Sequence, residues 1–479
     1  MDEDDDLPPL VSAADWARTP PDVKLAFLSL VDMVRDLSAR VRELEAQLKQ
    51  TSRNSSKPPS SDPPSAPPTP PRVLRGKPKG AQPGHPDQQR PLVPPEQVDE
   101  MVVCQPRQCP DCLTLLAPTL PDALPATRRQ VFDLPPIVAR VTEYQCRTVS
   151  CPACQQLVCG VLPPDAPPGA FGPRLTALIG LLHARTRLST RETVAFVHEV
   201  AGVELSLGSV ISSCTRVSEA VQPLDTAIQA RVQAHPVVWV DETSWREQQQ
   251  RGWLWVAVSP EATCFRLDPS RGQQALWQLL GADYSGVVHS DRASVYHALP
   301  DRQRQLCWAH VIRNLQGLVD QQHTESNWAQ RMLDWTPALF GAWRAYQSGF
   351  FDQIALQQAL MPVRLALHEL LRQGAASEWT KLQATSQDLL RHWDALWTFS
   401  RIAGLHPTNN LDERALRPAV LWRKSCYGTQ SALGSRFVER MLSVRATCAQ
   451  QGRNLFALLT DAVRAAWAGQ PAPTLFCNP

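Results

Sequence analysis

Proline is spread so unevenly along this sequence that it divides the chain before any motif is considered. Many of its 43 prolines fall in a dense run from Pro58 to Pro95, where serine, lysine and arginine are also frequent. A segment of this composition cannot bury a core, so we expect an extended linker over residues 51–95. The 479 residues therefore split into an N-terminal segment and a long remainder that must contain the folded domains.

The linker is basic although the whole chain is not. Between residues 51 and 90 it carries seven Lys or Arg side chains against two acids, while the net charge of the chain is only +2. A flexible basic arm suits the DNA backbone, because contacts to phosphates release counterions. A solvated linker without a partner explains this feature equally well when it is taken alone.

The N-terminal segment carries a heptad pattern. Its apolar side chains alternate spacings of four and three: Val23, Phe27, Leu30, Val34, Leu37, Val41, Leu44 and Leu48. The pattern predicts a coiled-coil helix within residues 1–50, and hence a homo-oligomer. The alternative is an amphipathic helix that packs on its own protein.

Three features bear on the compartment of the protein. The sequence has no uninterrupted apolar run of about 18 residues, so we expect no transmembrane helix. The first residues, MDEDDDLPPL, are acidic where a signal peptide would be basic, which predicts a cytoplasmic protein. In the cytoplasm, the 13 cysteines are expected to be thiols or metal ligands rather than disulfides.

Seven of the 13 cysteines fall within two short stretches, CQPRQCPDC and CRTVSCPACQQLVC. The C-x2-C pairs, Cys109 with Cys112 and Cys151 with Cys154, predict a tetrahedral structural zinc site. Between them, VFDLPPIVARVTEYQC alternates like β-strands and is expected to bring the two pairs together at hairpin tips. The remaining cysteines of these stretches stay open as alternative ligands: Cys104, Cys146 and Cys159.

Residues 166–235 have the pattern of helices joined by short turns. The segment LSTRETVAFVHEV begins with a Ser/Thr cap, Gly202 ends that helix, and Ser206 or Ser209 caps the next. This spacing is typical of a helix-turn-helix DNA-binding motif. A plain helical hairpin fits the pattern equally well.

The pattern changes after residue 236. Four segments rich in Val and Trp (PVVWVDETSW, GWLWVAVSP, ATCFRLDPS and GVVHSDRASVY) predict strands, and RGQQALWQLLGADY predicts a helix before the fourth. Residues 302–400 are mostly helical in pattern, so the order predicts an α/β domain with a mixed sheet. The alternating tryptophans of the first two strands are expected in its core: Trp239, Trp245, Trp253 and Trp255.

Two acids close consecutive strands of this predicted sheet. Asp241 follows the apolar run Val237 to Val240, and Asp291 follows Gly286 to Ser290. Strand ends in α/β sheets bind ligands, although a strand-end Asp is also a common turn former. Metal-dependent phosphoryl transfer needs several carboxylates around two Mg²⁺ or Mn²⁺ ions, so a third acid is required.

The stretch TNNLDERALRP offers two candidates for the third acid. On a helix that starts near Asn409 or Asn410, Glu413 shares a face with Asn410 and Arg417, whereas Asp412 points about 100° away. Acids in a first helical turn also stabilise the helix through its dipole, which is the alternative role for both.

Taken together, VVWVDETSWRE, GWLWVAVS, DPSRG, HSDRASVYHAL, LCWAHVIRN and PTNNLDERALRPAVLWRKSCYGTQSALGSRFVERMLSV resemble a bacterial transposase of the insertion sequence 66 family. The heptads, the linker and the cysteine module resemble the same family in the same order. The resemblance implies a ribonuclease H-like fold in which Asp241, Asp291 and Glu413 form a DDE catalytic triad that binds Mg²⁺ or Mn²⁺. It also implies cleavage of transposon ends by activated water and attack of the freed 3′-hydroxyl on target DNA. One departure is NNLDER, since the family often has a small residue before the ER pair.

The expected organisation follows from the patterns and the resemblance together. It comprises an N-terminal coiled-coil helix (1–50), a basic linker (51–95), a zinc-binding module (96–165), a helical DNA-binding region (166–235), a ribonuclease H-like catalytic domain (236–319 and 401–450), a helical insertion (320–400) and a C-terminal helix and tail (451–479).

Several basic side chains are expected to contact DNA phosphates: Arg271, Arg414, Arg417, Arg423 and Lys424. Cys307 and His310 have the spacing of a metal pair, but without two further obvious ligands we expect packing or a site-lining histidine. Helper proteins of the same element are further candidate partners. The competing interpretations are a zinc-containing DNA-binding regulator, which leaves the three acids unexplained, and a catalytically decayed transposase.

Overall fold

The computed structural model describes residues 13–48, 90–121, 123–164 and 166–476. The described chain forms two compact units: a smaller one within Pro67–Thr142 that also includes Val200–Val203, and a larger one with the remaining residues. The predicted basic linker lies outside the described residues as far as residue 89. In the part of the chain that the structure describes, no helix has both the length and the apolar character that a membrane span requires.

The smaller unit holds the first cysteine pair in a tight turn. Cys109 N donates to Thr114 O at 3.0 Å, and Leu113 N donates to Cys109 O at 3.0 Å. These two bonds fold the backbone around Cys112, so both thiols lie on one short turn.

In the larger unit, the second cysteine pair lies at the tip of a hairpin. Strands β1 (Thr148–Ser150) and β2 (Leu157–Cys159) are antiparallel, and Cys151 N donates to Gln156 O at 2.8 Å across the turn. The strands predicted within residues 131–146 are wrong, because every described residue of that segment is exposed and outside a strand. Two consecutive prolines, Pro135 and Pro136, lack the backbone N–H groups that a strand ladder needs.

Two helices, α1 (Ala13–Arg18) and α2 (Pro21–Leu48), lie near the N-terminus. Helix α2 spans the predicted heptads. Its apolar side chains are between 45% and 60% exposed at six of those positions: Val23, Leu30, Val34, Leu37, Val41 and Leu44. The helix is therefore confirmed, while the coiled coil stays a prediction.

The helical region contains α3 (Pro173–Leu181), α4 (Thr190–Ala201), α5 (Leu207–Ala220) and α6 (Gln222–Gln233). Gly202 follows α4 in the left-handed region, with φ of +64°, and Ser206 Oγ accepts from Ser209 N at 3.0 Å at the start of α5. Glycine tolerates positive φ, and a serine cap satisfies an otherwise unpaired N–H. Both boundaries agree with the predicted signals, and Ser206 is the cap.

The sheet is built from β3 (Val237–Glu247), β4 (Gln250–Val258), β5 (Thr263–Asp268), β6 (Val287–Ser290) and β7 (Arg304–Leu306), with α7 (Gln273–Leu280) before β6. The strand order across the sheet is β5–β4–β3–β6–β7. Strands β3, β4 and β5 form an antiparallel meander, whereas β6 is parallel to β3 and β7 is parallel to β6. The prediction of a mixed α/β architecture is confirmed.

After β7, the chain is helical. The helices are α8 (Trp308–Val319), α9 (Ser326–Leu333), α10 (Thr336–Gln347), α11 (Gln353–Ala375), α12 (Thr380–Arg391), α13 (Asn410–Cys426), α14 (Ala432–Gln450) and α15 (Leu455–Trp467). Helices α8 to α12 lie between the second and third predicted acids, and α9 to α12 fall within the predicted insertion at 320–400.

Helix α14 closes the outer edge of β5. Three alternate N–H groups of the strand donate to side-chain oxygens of the helix: Thr263 N to Thr447 Oγ1 at 3.1 Å, Phe265 N to Ser443 Oγ at 2.9 Å, and Leu267 N to Glu439 Oε1 at 2.6 Å. The acceptors are four residues apart and so share one face of the helix. An open strand edge is a template for pairing with another chain. By occupying the N–H groups of β5, these bonds also protect the sheet from such pairing.

Helix α6 is fixed to the same strand by Arg266, which donates to Asp225 Oδ1 at 3.0 Å and to Gln229 Oε1 at 2.8 Å. Residues 222–233 therefore pack against the sheet.

Three of the four predicted core tryptophans are buried: Trp239, Trp245 and Trp255. Trp253 is only partly buried, contrary to the prediction. The guanidinium groups of Arg251 and Arg271 lie over its ring, at 5.1 Å and 4.8 Å from its centroid.

Candidate active site

Strands β3 and β6 bring two of the predicted acids side by side. The prediction that Asp241 ends its strand is wrong, because β3 stays paired with β4 as far as Glu247. Their parallel register pairs Trp239 with His289, so continuing it by two residues sets Asp241 opposite Asp291. Asp291 directly follows β6, and its Oδ1 accepts from Ala293 N at 2.8 Å, which turns the chain at the end of the strand.

The charges around Asp241 show that Glu413 belongs to the same neighbourhood. Burial raises the pKa of Asp241 well above its usual value, and the negative charges of Glu242, Asp291 and Glu413 raise it further. A hydrogen bond from Glu242 N to Asp241 Oδ1, at 2.8 Å, acts in the opposite direction. Repelling carboxyl groups at a partly buried position are a recognised mark of a functional site.

Glu242 is an acid of this neighbourhood that the sequence prediction missed. Its buried carboxylate accepts from Arg271 Nε at 2.7 Å, from Arg271 Nη2 at 2.6 Å and from Tyr296 Oη at 2.5 Å. Burial and then Asp291 raise the pKa of Glu242, while Arg271 and Tyr296 act against them. The acid was visible in the sequence DET, but the prediction considered only Asp241, which directly follows the apolar run Val237 to Val240.

The start of α13 is fixed to the start of α8. Asn409 N donates to Cys307 Sγ at 3.2 Å, and Trp308 N donates to Pro407 O at 2.9 Å. Cys307 is buried and acts as a hydrogen-bond acceptor in this junction, which agrees with the packing role expected for it. The junction places the first turns of both helices beside each other.

Arg313, in the second turn of α8, and Glu413, in the first turn of α13, form an ion pair, with Arg313 Nη2 at 2.9 Å from Glu413 Oε1. His310 lies about one turn before Arg313 on α8. Burial and Arg313 lower the pKa of His310, while Asp291 and Glu413 raise it, so its ring lies close to both acids. This position agrees with the site-lining histidine expected from the sequence.

The far end of α13 is anchored to β3. Arg423 Nη1 donates to Thr243 Oγ1 at 2.9 Å and to Ser244 Oγ at 2.7 Å. Just beyond the helix, Thr429 N donates to Arg246 O at 2.8 Å. The helix that carries Glu413 is thus attached to the strand that carries Asp241.

The predicted DNA-contacting residues occupy two kinds of position. Arg414, Arg417 and Lys424 are exposed along α13. Arg423 is engaged with β3, and Arg271 is paired with Glu242 while 45% of its side chain remains exposed. The side chain of Asp412 lies outside the described part of the chain.

The acids suit a site for more than one hard cation. Asp241, Asp291 and Glu413 supply three carboxylates from separate elements. Two ions roughly 3.5–4 Å apart, each with oxygens about 2.1 Å away, accept outer ligands up to about 8 Å apart. An all-carboxylate donor set favours Mg²⁺ or Mn²⁺.

One thiol of each cysteine pair has a lowered pKa, which favours the thiolate. Hydrogen bonding to Thr114 lowers the pKa of the exposed Cys112 thiol to about 7. Backbone hydrogen bonds around Cys154 and Ala153 lower the pKa of Cys151. Thiolates are the form that binds zinc.

Comparison with protein families gives three matches. Residues 168–436 match a model described as the transposase IS66 family, and residues 106–155 match the zinc-finger binding domain of transposase IS66. Residues 9–91 match a family of unknown function.

Two curated relatives come from Sinorhizobium fredii (strain NBRC 101917 / NGR234). Uncharacterized protein y4hP is 24% identical over 350 residues, which cover 65% of this chain and 62% of the relative. Uncharacterized protein y4qI is 24% identical over 303 residues, which cover 57% of this chain and 55% of the relative. The chain therefore matches less than two thirds of the length of these relatives.

Proposed function

The chain belongs to the IS66 transposase family, and on this basis we propose that it cleaves DNA at transposon ends and joins the freed 3′-hydroxyls to target DNA. The observation that supports this chemistry best is the meeting of three acids from separate elements. Asp241 lies on β3, Asp291 follows β6, and Glu413 lies on α13, yet the charges of the latter two both raise the pKa of Asp241. We assign these three carboxylates as the metal ligands.

Mg²⁺ or Mn²⁺ bound there would supply an activated water and stabilise the leaving oxygen of the phosphodiester. The protein's own residues orient the site. Arg313 holds the Glu413 carboxylate, and Arg271 with Tyr296 holds Glu242.

Exposed basic side chains on α13 provide the expected DNA contacts: Arg414, Arg417 and Lys424. Arg423 and Arg271 are proposed to combine a phosphate contact with the bonds that hold them in place.

We also propose that the sheet is ribonuclease H-like. In support, an antiparallel meander is followed by two parallel strands, and the acids lie on the central strand β3 and directly after its parallel neighbour β6. The catalytic domain would then comprise residues 236–319 and 401–450, interrupted by the helical insertion at 320–400. The preceding region, 166–235, is proposed to contribute to DNA binding.

The chain carries a zinc finger of this family, and we propose Cys109, Cys112, Cys151 and Cys154 as its ligands. All four lie inside the matched range of 106–155, as does Cys146, whereas Cys104 and Cys159 lie outside it. Zinc analysis of the full chain should find the metal, and replacing Cys112 or Cys154 by Ser should release it. Zinc retained by both variants would refute this ligand set.

The transposase proposal is tested by cleavage and joining of labelled transposon-end DNA in the presence of Mg²⁺. Asp241→Asn, Asp291→Asn and Glu413→Gln should each abolish both steps, because each removes a metal ligand, while DNA binding persists. Asp412→Asn is the matched control beside Glu413 and should retain activity.

The outcomes separate the alternatives. An inactive Asp412→Asn variant with an active Glu413→Gln variant would reassign the third ligand. Activity in all three ligand variants would exclude the proposed metal chemistry. Sequence-specific DNA binding without any cleavage by the unaltered chain would favour the regulator or the decayed transposase.

A further inference from the structure

A second group of metal-ligand side chains lies outside the three acids. His297, Asp388 and His392 each offer one ligand atom, and these atoms lie within 4.8 Å of one another. His297 belongs to the short 3-10 turn Ser294–Ala298 that follows Asp291, whereas Asp388 lies on α12 and His392 directly follows that helix. The two imidazole rings have their centroids 4.6 Å apart.

His392 is arranged as a metal ligand rather than as an ordinary buried histidine. It is 8% exposed, and its Nε2 is buried without a hydrogen-bond partner among the described residues. Its Nδ1 lies 2.8 Å from Asp301 Oδ1, with Arg304 Nη1 farther away at 3.3 Å. The closer carboxylate favours a proton on Nδ1, which leaves the lone pair on Nε2. Carboxylates commonly orient metal-binding histidines in this way.

The carboxylate of Asp388 is also held in place by a neighbouring side chain. Arg292 donates to its Oδ2 from Nε at 3.0 Å and from Nη2 at 2.7 Å. Its other oxygen, Oδ1, lies 3.9 Å from His392 Nε2. The bonds from Arg292 thus fix one carboxylate oxygen while the second faces the unpartnered imidazole nitrogen.

The geometry points to a binding site for a divalent transition-metal cation such as Zn²⁺, with His297, Asp388 and His392 as ligands. In tetrahedral coordination, ligand atoms about 2.1 Å from zinc lie roughly 3.4 Å from one another. The 3.9 Å between His392 Nε2 and Asp388 Oδ1 is close to this spacing, and the exposed His297 offers the third ligand atom within 4.8 Å of both. Three protein ligands leave the fourth position to water.

The donor set also selects the class of cation. Two imidazoles suit zinc, copper, nickel or cobalt, whereas Mg²⁺ prefers oxygen ligands only. The positive charges of Arg292 and Arg304 are paired with Asp388 and Asp301, while Arg391 adds a further positive charge near His297. A bound cation would tie the turn after Asp291 to the end of α12.

The test uses Co²⁺ alone as the probe, because its visible absorption distinguishes nitrogen and oxygen ligands from thiolates. The full chain, with its cysteine module loaded with zinc, carries Asp241→Asn in every sample, so that Co²⁺ binding at the three acids is weakened throughout. Co²⁺ binding is then compared among four chains. They are this parent chain and its His297→Asn, Asp301→Asn and His198→Asn variants. His198 is an exposed histidine on α4 and serves as the matched control.

We expect one equivalent of Co²⁺, without a thiolate charge-transfer band, in the parent and in His198→Asn. His297→Asn should lose this equivalent, and Asp301→Asn should bind it about 10–100-fold more weakly. Equal binding by His297→Asn and the control would overturn the proposal, as would a thiolate band from the added Co²⁺. If His297→Asn does not fold, the Asp301→Asn affinity decides the question, and an unchanged value refutes the site.

Discussion

Asp241 is a proposed catalytic acid that is surrounded by like charges. Burial and the neighbouring carboxylates raise its pKa, so the folded chain binds the Asp241 proton more tightly than the unfolded chain does. The sign follows from linkage: without metal, stability falls as the pH rises above the usual carboxyl pKa. A divalent cation would remove this repulsion by neutralising the cluster.

We therefore predict that Asp241→Asn raises the melting temperature of the metal-free chain at neutral pH. We expect a shift of about 2 °C or more, since 1 kcal/mol moves the midpoint of a large domain by roughly 2–4 °C. The same variant should lose the stabilisation that Mg²⁺ gives to the unaltered chain. Thermal unfolding with EDTA and with Mg²⁺ measures both effects, and a lower midpoint in EDTA would contradict the charge cluster.

Arg313 is predicted to position Glu413 for metal binding. Its bond to Glu413 Oε1 restricts the carboxylate, so Arg313→Gln should raise the Mg²⁺ concentration for half-maximal cleavage by about 10–100-fold. Arg331→Gln, which changes an exposed arginine on α9, is the control. An unchanged Mg²⁺ requirement for Arg313→Gln would show that Glu413 does not depend on this bond.

At this scale, the sequence could indicate which acids to consider but not how they are held. Strand ends and helical phase led to Asp241, Asp291 and Glu413. Glu242 escaped because its partners, Arg271 and Tyr296, are 29 and 54 residues away along the chain. No local pattern encodes pairings of that range.

At the scale of single elements, the contact between α14 and β5 makes stability depend on pH. Burial raises the pKa of Glu439 to about 7, although Arg436 and the Leu267 N–H act against this. Because the folded-state pKa lies above the unfolded value, stability should decline as the pH rises from about 4.5 through 7, by up to roughly 3 kcal/mol.

Glu439→Gln should remove this part of the pH dependence, since an amide can still accept from Leu267 N without titrating. Melting temperatures between pH 5 and 8 provide the measurement, with Glu261→Gln at an exposed ion pair as the control. A slope that persists in Glu439→Gln would assign the pH dependence to other groups.

The N-cap of α5 provides a second prediction for an element. Ser206→Ala removes the acceptor for Ser209 N and should cost about 0.5–2 kcal/mol of stability. Ser212→Ala, at an exposed position inside the same helix, should change stability far less. Equal effects in chemical denaturation would remove the capping role.

Elements could be predicted where local chemistry determines them, as Gly202 and Ser206 do at the ends of α4 and α5. The strands predicted from alternating apolar residues over 131–146 are wrong, because a strand also requires available N–H groups and a surface to pack on. The bonds from β5 to α14 could not be predicted either. The spacing of Glu439, Ser443 and Thr447 is visible in the sequence, but the strand edge that they bind is not.

For the whole molecule, the exposed heptad positions of α2 predict self-association. Replacing Leu30 and Leu37 together by Lys should dissociate the oligomer, because it places like charges along the apolar stripe. Leu25→Lys changes a leucine that is 70% exposed outside the heptad positions and should leave the assembly intact. Analytical ultracentrifugation of the full chain measures the outcome, and identical masses for all three chains would reject the coiled coil.

The division into domains stays a prediction, whereas the mixed sheet from residue 236 and the helices after it were predictable, because composition and periodicity change sharply there. The attachment of α6 and α14 to the sheet was not, since it joins side chains that are distant in sequence. The proposed zinc ligands could be chosen from spacing, whereas the His297, Asp388 and His392 group has no local motif.

The closure of β5 by α14 also has a consequence for synthesis on the ribosome. The bonded groups are 172 to 184 residues apart, so at 5–20 residues per second the strand is made roughly 10–40 s before the helix that covers it. During that interval, the nascent chain exposes a strand edge. This edge can pair with other nascent chains that ribosomes are making on the same mRNA. A gene copy truncated before α14 would leave that edge open permanently, so its product should aggregate and be cleared rather than persist as a folded, inactive competitor.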